Sequence, residues 1–149
     1  EIEKIEIIVN PCYLNICNID RPQTALETKF SFKLIAALVL SGYDTTSLGT
    51  FSDEITQNKL LDKIRDRVHV QSDLTIPETE TEVRIHLHTG QILDNRFNLL
   101  QSHPIRVRSD RVFEKAKVLI GDELAQDLWQ QVELGQELLS TWFENHFQK

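Results

Sequence analysis

The chain has 149 residues, 40% of them hydrophobic and 26% charged, with a formal net charge of −7. That is ordinary globular material, long enough for one domain over residues 1–149 that buries a core without disulfide or metal staples. The acidic balance, with Lys and Arg scattered among Asp and Glu, argues against a nucleic-acid partner, which needs concentrated basic charge.

Ile5, Ile7 and Val9 alternate with their neighbours and predict a strand that ends at Asn10-Pro11. Residues 11 to 23 read as an irregular loop with two prolines. Cys12 and Cys17 lie in it at a C-x4-C spacing, which suits neither a redox pair nor a zinc knuckle, so they read as two reduced thiols of a cytoplasmic protein, with a bridge between them as the minor reading. Next comes the densest stretch, Pro22 to Gly42. From Phe32 to Leu40 apolar residues cover most of a helical circumference, and Ser41-Gly42 stops the helix. A helix apolar nearly all round is buried on more than one side, here by a sheet on one face and another element opposite. The longest apolar run, Leu34 to Leu40, is too short to span a bilayer, and no membrane partner is expected.

Phe51-Ser52-Asp53-Glu54 reads as a helical turn capped by Ser52. Leu60, Leu61 and Ile64 predict a short amphipathic helix ending near Arg67. Val68 and Val70 mark a second strand; Val83, Ile85 and Leu87 mark a third. Thr89-Gly90 is the hairpin turn, and Ile92 to Leu99 the returning strand. Ser109-Asp110 then caps a helix through about Ile120, and Gly121 breaks it. A long last helix carries Leu124, Leu128, Val132, Leu138, Leu139, Trp142 and Phe143. The order is strand, two helices, three antiparallel strands, two helices. It predicts an α+β fold: a two-layer sandwich of a mainly antiparallel sheet with helices packed on one face. The absence of Met and the strand-like opening residues read as a piece of a longer protein.

Few residues announce chemistry. No phosphate-binding glycine loop and no nucleophile elbow occurs. His86 and His88, two apart on a strand, point to one face and would share a metal only with further ligands; a solvated sheet face is the simpler account, and no metal is assigned. Glu78, Glu80 and Glu82 read as a solvated edge, Trp129 and Trp142 as core or interface anchors. Lys29 and Ser31, at the mouth of the apolar helix, have two readings. Ser31 is an N-cap or a site residue, and Lys29 extends outward along its own stem or offers a cation to a ligand.

The series Arg21-Pro22-Gln23-Thr24-Ala25-Leu26-Glu27-Thr28-Lys29-Phe30-Ser31-Phe32, followed by Ala36-Ala37 and Ser41-Gly42, resembles the signature of the MmgE/PrpD family. Ile2-Glu3-Lys4-Ile5-Glu6-Ile7, Phe51-Ser52-Asp53-Glu54, Leu87-His88-Thr89-Gly90 and the helices from Ser109 onward are similar to its other landmarks, in order. The family includes 2-methylcitrate dehydratase, cis-aconitate decarboxylase and iminodisuccinate epimerase. The resemblance is to the small C-terminal domain, which lines a cleft against a large helical domain. It implies a lyase or isomerase acting on a short polycarboxylic acid, without cofactor or metal, with the acid–base histidines on the helical partner.

On that implication the chain alone is inactive. Lys29 and Ser31 line the substrate cleft, and no residue of this chain is catalytic. Leu34 stands where many members have Tyr, and Ala25 where they have Gly. The alternative is a non-catalytic interaction or dimerisation domain on the same fold. Its surface for a homodimer would be the last helix, with Trp142, Phe143 and His146.

Overall fold

The computed structural model describes residues 1–134 together with Thr141, Trp142 and His146. The chain divides into two compact units, Glu1–Gln101 and Ser102–Lys149. The first holds strand β1 (Ile2–Val9), helices α1 (Ala25–Thr28), α2 (Phe32–Leu40) and α3 (Lys59–Arg65), and strands β2 (Val68–Ser72), β3 (Glu80–Leu87) and β4 (Ile92–Asn98). The second holds α4 (Ile105–Ile120) and α5 (Asp122–Leu134).

The α+β expectation holds, with one correction to the sheet. Its order is β2-β1-β3-β4, and β1 pairs antiparallel with β3, as β3 does with β4. But β2 lies parallel to β1, with Ile5 opposite Val68 and Ile7 opposite Val70. The sheet is therefore mixed rather than a run of three antiparallel strands. The cause is the connection. α2 and α3 carry the chain back along the sheet, and a crossover of this kind returns the next strand in its original direction. Periodicity within a strand carries no trace of that choice.

Strand alternation builds the core. Ile5, Ile7 and Val9 turn to one face beside Val68, and Phe32 and Ala36 of α2 pack on them. Leu34, Ala37 and Leu38 point the other way, to Leu61 of α3. So α2 lies between the sheet and α3, which is why it needs apolar residues on two sides. Its most exposed residues are Val39 and Leu40 in the C-terminal turn. The hairpin between β3 and β4 closes at Gly90, whose φ of +84° is the left-handed conformation that the expected Thr-Gly turn requires.

Two further boundaries differ from the sequence reading. The turn after Phe51 spans Glu54–Gln57 with Asp53 at its cap position and no side-chain capping bond; Ser52 instead bonds the Glu54 side chain. α4 begins at Ile105, so Ser109 and Asp110 lie inside it. Pro104 starts it with φ −50°, close to the helical value that its ring imposes, and no side chain caps it. Gly121 breaks the helix as expected, at φ +87°.

In the second unit the Phe113 and Trp129 rings lie 5.2 Å apart and join α4 to α5. Trp142 is buried, donates its indole N–H to Asp127 and stacks on His146. Leu138, Leu139 and Phe143 lie outside the described residues.

Leu38 is fully buried between two layers. Leu38→Ala should lower the unfolding free energy by about 2–5 kcal/mol, the range for a buried leucine whose site cannot collapse. Urea denaturation checks it, and a loss under about 1 kcal/mol would mean that α2 and α3 close over the cavity.

Candidate functional site

The segment Thr24 to Ser31 is two helix caps in succession. Thr24 caps α1 by accepting the Glu27 N–H at 3.2 Å, while the Glu27 carboxylate accepts the Gln23 N–H at 2.6 Å. This is a shifted capping box, in which each side chain satisfies an orphan donor at the other's end. A second carboxylate arrives from the chain's middle: Asp53 accepts the Ala25 N–H at 2.6 Å. Four residues later Ser31 caps α2, accepting the Leu34 N–H at 3.2 Å. Lys29, Phe30 and the cap residue Ser31 are all that separates the two helices.

That arrangement settles the geometry of the two candidate residues. Ser31 has no exposed surface and also bridges to Asn18 through its backbone. Its hydroxyl is committed to the cap. Lys29 is exposed, with its ammonium 5.6 Å from the centre of the Phe51 ring. That is a cation–π distance, and it fixes the long side chain against an aromatic face with the charge still in water. Leu26 and Phe30 are exposed on either side of Lys29 in sequence. The structure therefore brings the two backbones together and sends the side chains apart, one inward and one outward. Leu34 is buried with Ala37, Leu38 and Leu61, so this position belongs to the core here.

The histidines separate as well. His86 lies on β3, and its Nε2 is 2.8 Å from a carboxylate oxygen of Glu6, whose other oxygen accepts from the Lys4 ammonium at 2.8 Å. His88 falls in the turn beyond the strand, where its backbone N–H bonds Glu1. Register places His69 of β2 opposite Glu6. Even so, no group of three metal-ligating side chains forms among the described residues. Glu80 and Glu82, read from sequence as a solvated edge, pair with Arg96 and Arg84. The result is a laced polar face on the side of the sheet away from α2. The lacing holds Glu6 well below the usual carboxylate range, at about 2, chiefly through the Lys4 and His86 hydrogen bonds. Strand periodicity put His86 and Glu6 on polar faces, but pairing them needed the β1–β3 register.

Hollows open in the first unit. One of about 320 Å³ between α2 and β3 is lined by Ile7, Phe32, Ile35, Val83 and Ile85, among others, and is almost wholly apolar. One of about 220 Å³ holds Tyr13, Cys17, Glu78 and Phe97, with the Tyr13 hydroxyl donating to the Glu78 carbonyl. Another, about 450 Å³, lies by Arg67, Ile64 and the chain start. Cys12 and Cys17 are free thiols, as expected. No family model matches the chain, and no curated protein matches it.

Ser31→Ala should cost about 1–2 kcal/mol, because the Leu34 N–H would stay buried without an acceptor. Ser31→Asp or Ser31→Asn restores an acceptor but adds bulk at a site with no exposure. Glu6 gives a pH signature. Its folded pKa lies below the unfolded value of 4.5, so its contribution is full above that value and fades as pH falls towards about 2. Wild type should therefore exceed Glu6→Gln in stability at neutral pH, with the gap closing across that window. A gap independent of pH would remove the charge from the argument.

Proposed function

We propose that this chain is the small domain of an MmgE/PrpD-type lyase or isomerase for a short polycarboxylic acid, and that it forms one wall of an active-site cleft. The observation that carries the reading is the junction between α1 and α2. There the motif that resembles the family's holds one cation outward, braced on Phe51, in a doubly capped segment anchored by the buried Thr28 and Ser31. A fixed ammonium on a rigid support suits a substrate carboxylate, because its position is set before the ligand arrives. Ser31 serves that site from within: by capping α2 it fixes the three-residue link that carries Lys29. Leu34, buried in the core, leaves this wall without the hydroxyl that the tyrosine of other members would supply.

On this reading the acid–base groups come from a helical domain of the same protein, and the chain works without metal or cofactor in the cytoplasm. Among the described residues no helix is long and apolar enough to cross a membrane. Lys29 binds and orients, and a histidine across the cleft moves the proton next to the carboxylate.

A second reading, an interaction domain on the same fold, has its own observation in the exposed edge of the sheet at β4. The two readings separate by assay. The chain alone should give no turnover of 2-methylcitrate or cis-aconitate, and clear turnover would overturn the inert-wall reading. In the longer protein that includes the helical domain, Lys29→Ala should lower kcat/KM about tenfold or more with the unfolding midpoint unchanged. Unchanged kinetics would take Lys29 out of the cleft.

A further inference from the structure

We propose that β4 is a self-recognition edge, through which two copies of this chain join their sheets across a two-fold axis at Asn95. The inference is independent of the chemistry proposed above.

β4 is the outermost strand on its side of the sheet, and every residue from Ile92 to Phe97 is exposed. Proline, lysine and a bulge, three of the devices that blunt such edges, are missing from it. The segment Ile92-Leu93-Asp94-Asn95-Arg96-Phe97-Asn98 has no Pro and no Lys, and its register with β3 runs without a bulge. Its outward hydrogen-bonding groups follow from the hairpin. Leu87 donates to the Gln91 carbonyl at one end, and Leu99 donates to the Thr79 carbonyl at the other. The odd-numbered residues of β4 thus face β3 with their backbone groups. The even-numbered ones, Ile92, Asp94, Arg96 and Asn98, turn theirs outward.

An antiparallel partner must match outward residues to outward residues, and the side chains then choose among the registers that remain. Centring the axis on Asp94 sets Asp94 against its own copy, and centring it on Arg96 sets two guanidinium groups together. Centring it on Asn95 sets Asp94 against Arg96 twice, on the polar face, and Leu93 against Phe97 twice, on the apolar face. Opposite charges and large apolar groups are the favourable cross-strand pairs, and like charges are unfavourable. Only the Asn95 register satisfies both faces.

The present environment of these side chains agrees. Asp94 has no ion pair among the described residues, whereas Arg96 engages Glu80 through Nε alone and keeps further N–H donors for a second carboxylate. Leu93 and Phe97 are 47% and 50% exposed, and they extend the apolar face of Val83 and Ile85. An isologous contact of this kind closes at two copies, because each chain uses up its own edge.

Sedimentation of the full chain over a concentration series tests it. The parent should form a dimer. Asp94→Arg and Arg96→Asp should each weaken self-association about tenfold or more, since each sets like charges opposite twice. An equal mixture of these two variants should recover the dimer, because every cross-axis pair is then opposite in sign. In a background of Cys12→Ser and Cys17→Ser, Asn95→Cys should oxidise to a covalent dimer, its two copies meeting on the axis. A parent that stays monomeric, single variants that associate as tightly as the parent, a mixture that fails to recover the dimer, or an Asn95→Cys variant that folds without cross-linking would each overturn the proposal.

Discussion

The first unit is organised by the burial of α2 on two sides. A helix in that position cannot show its first turn to water, so the N–H groups that helix geometry leaves without partners must be satisfied by protein. Ser31 supplies the acceptor, and its complete burial follows from the same requirement. The position of the neighbouring segment follows in turn. With α1 capped by Thr24 and Asp53, and α2 capped by Ser31, the link between them has little freedom. Lys29 is displayed by that rigidity. Its charge sits where it does because the residues around it solve a packing problem.

The sheet divides its labour by face. On the α2 side, β1 contributes Ile5, Ile7 and Val9 to the core; on the other, Lys4 and Glu6 join His86 in a charged lattice. The two faces change character towards β4. There Leu93 and Phe97 are about half exposed on the apolar side, and on the polar side Asp94 makes no ion pair among the described residues. One strand in the centre is satisfied on all sides while the outermost one is left half finished, which is the physical ground for assigning the latter to assembly.

Much of this was legible from residue order, and the remainder had identifiable causes. Local pattern predicted β1, α2, the β3–β4 hairpin and the helix break at Gly121, because each has a period or a turn residue of its own. Ser31 had two readings in sequence, and only its burial decided between them. What pattern could not carry was pairing. The parallel placement of β2 depends on a crossover, and the union of Glu6 with His86 depends on register across residues 80 apart in the chain. Asp53 as a cap for α1 is the same kind of fact, a side chain from a later turn finding an N–H in an earlier one. The start of α4 was misplaced for a different reason: Ser109-Asp110 looks like a cap, but Pro104 had already set the helical φ.

The central position of β1 also has a cost during synthesis. This strand precedes both of its partners in the chain, and its neighbours lie at Val68–Ser72 and Glu80–Leu87. At ordinary translation speeds of about 5–20 residues per second, the strand waits on the order of 3–15 seconds before either partner exists. Through that interval Ile5, Ile7, Ile8 and Val9 form a β-prone apolar segment with open edges, the kind that nascent chains lose to aggregation. Lys4 and Glu6 interrupt it. The same two charges that lace the finished sheet therefore act earlier as gatekeepers, keeping the first strand soluble until the rest of its sheet has been made.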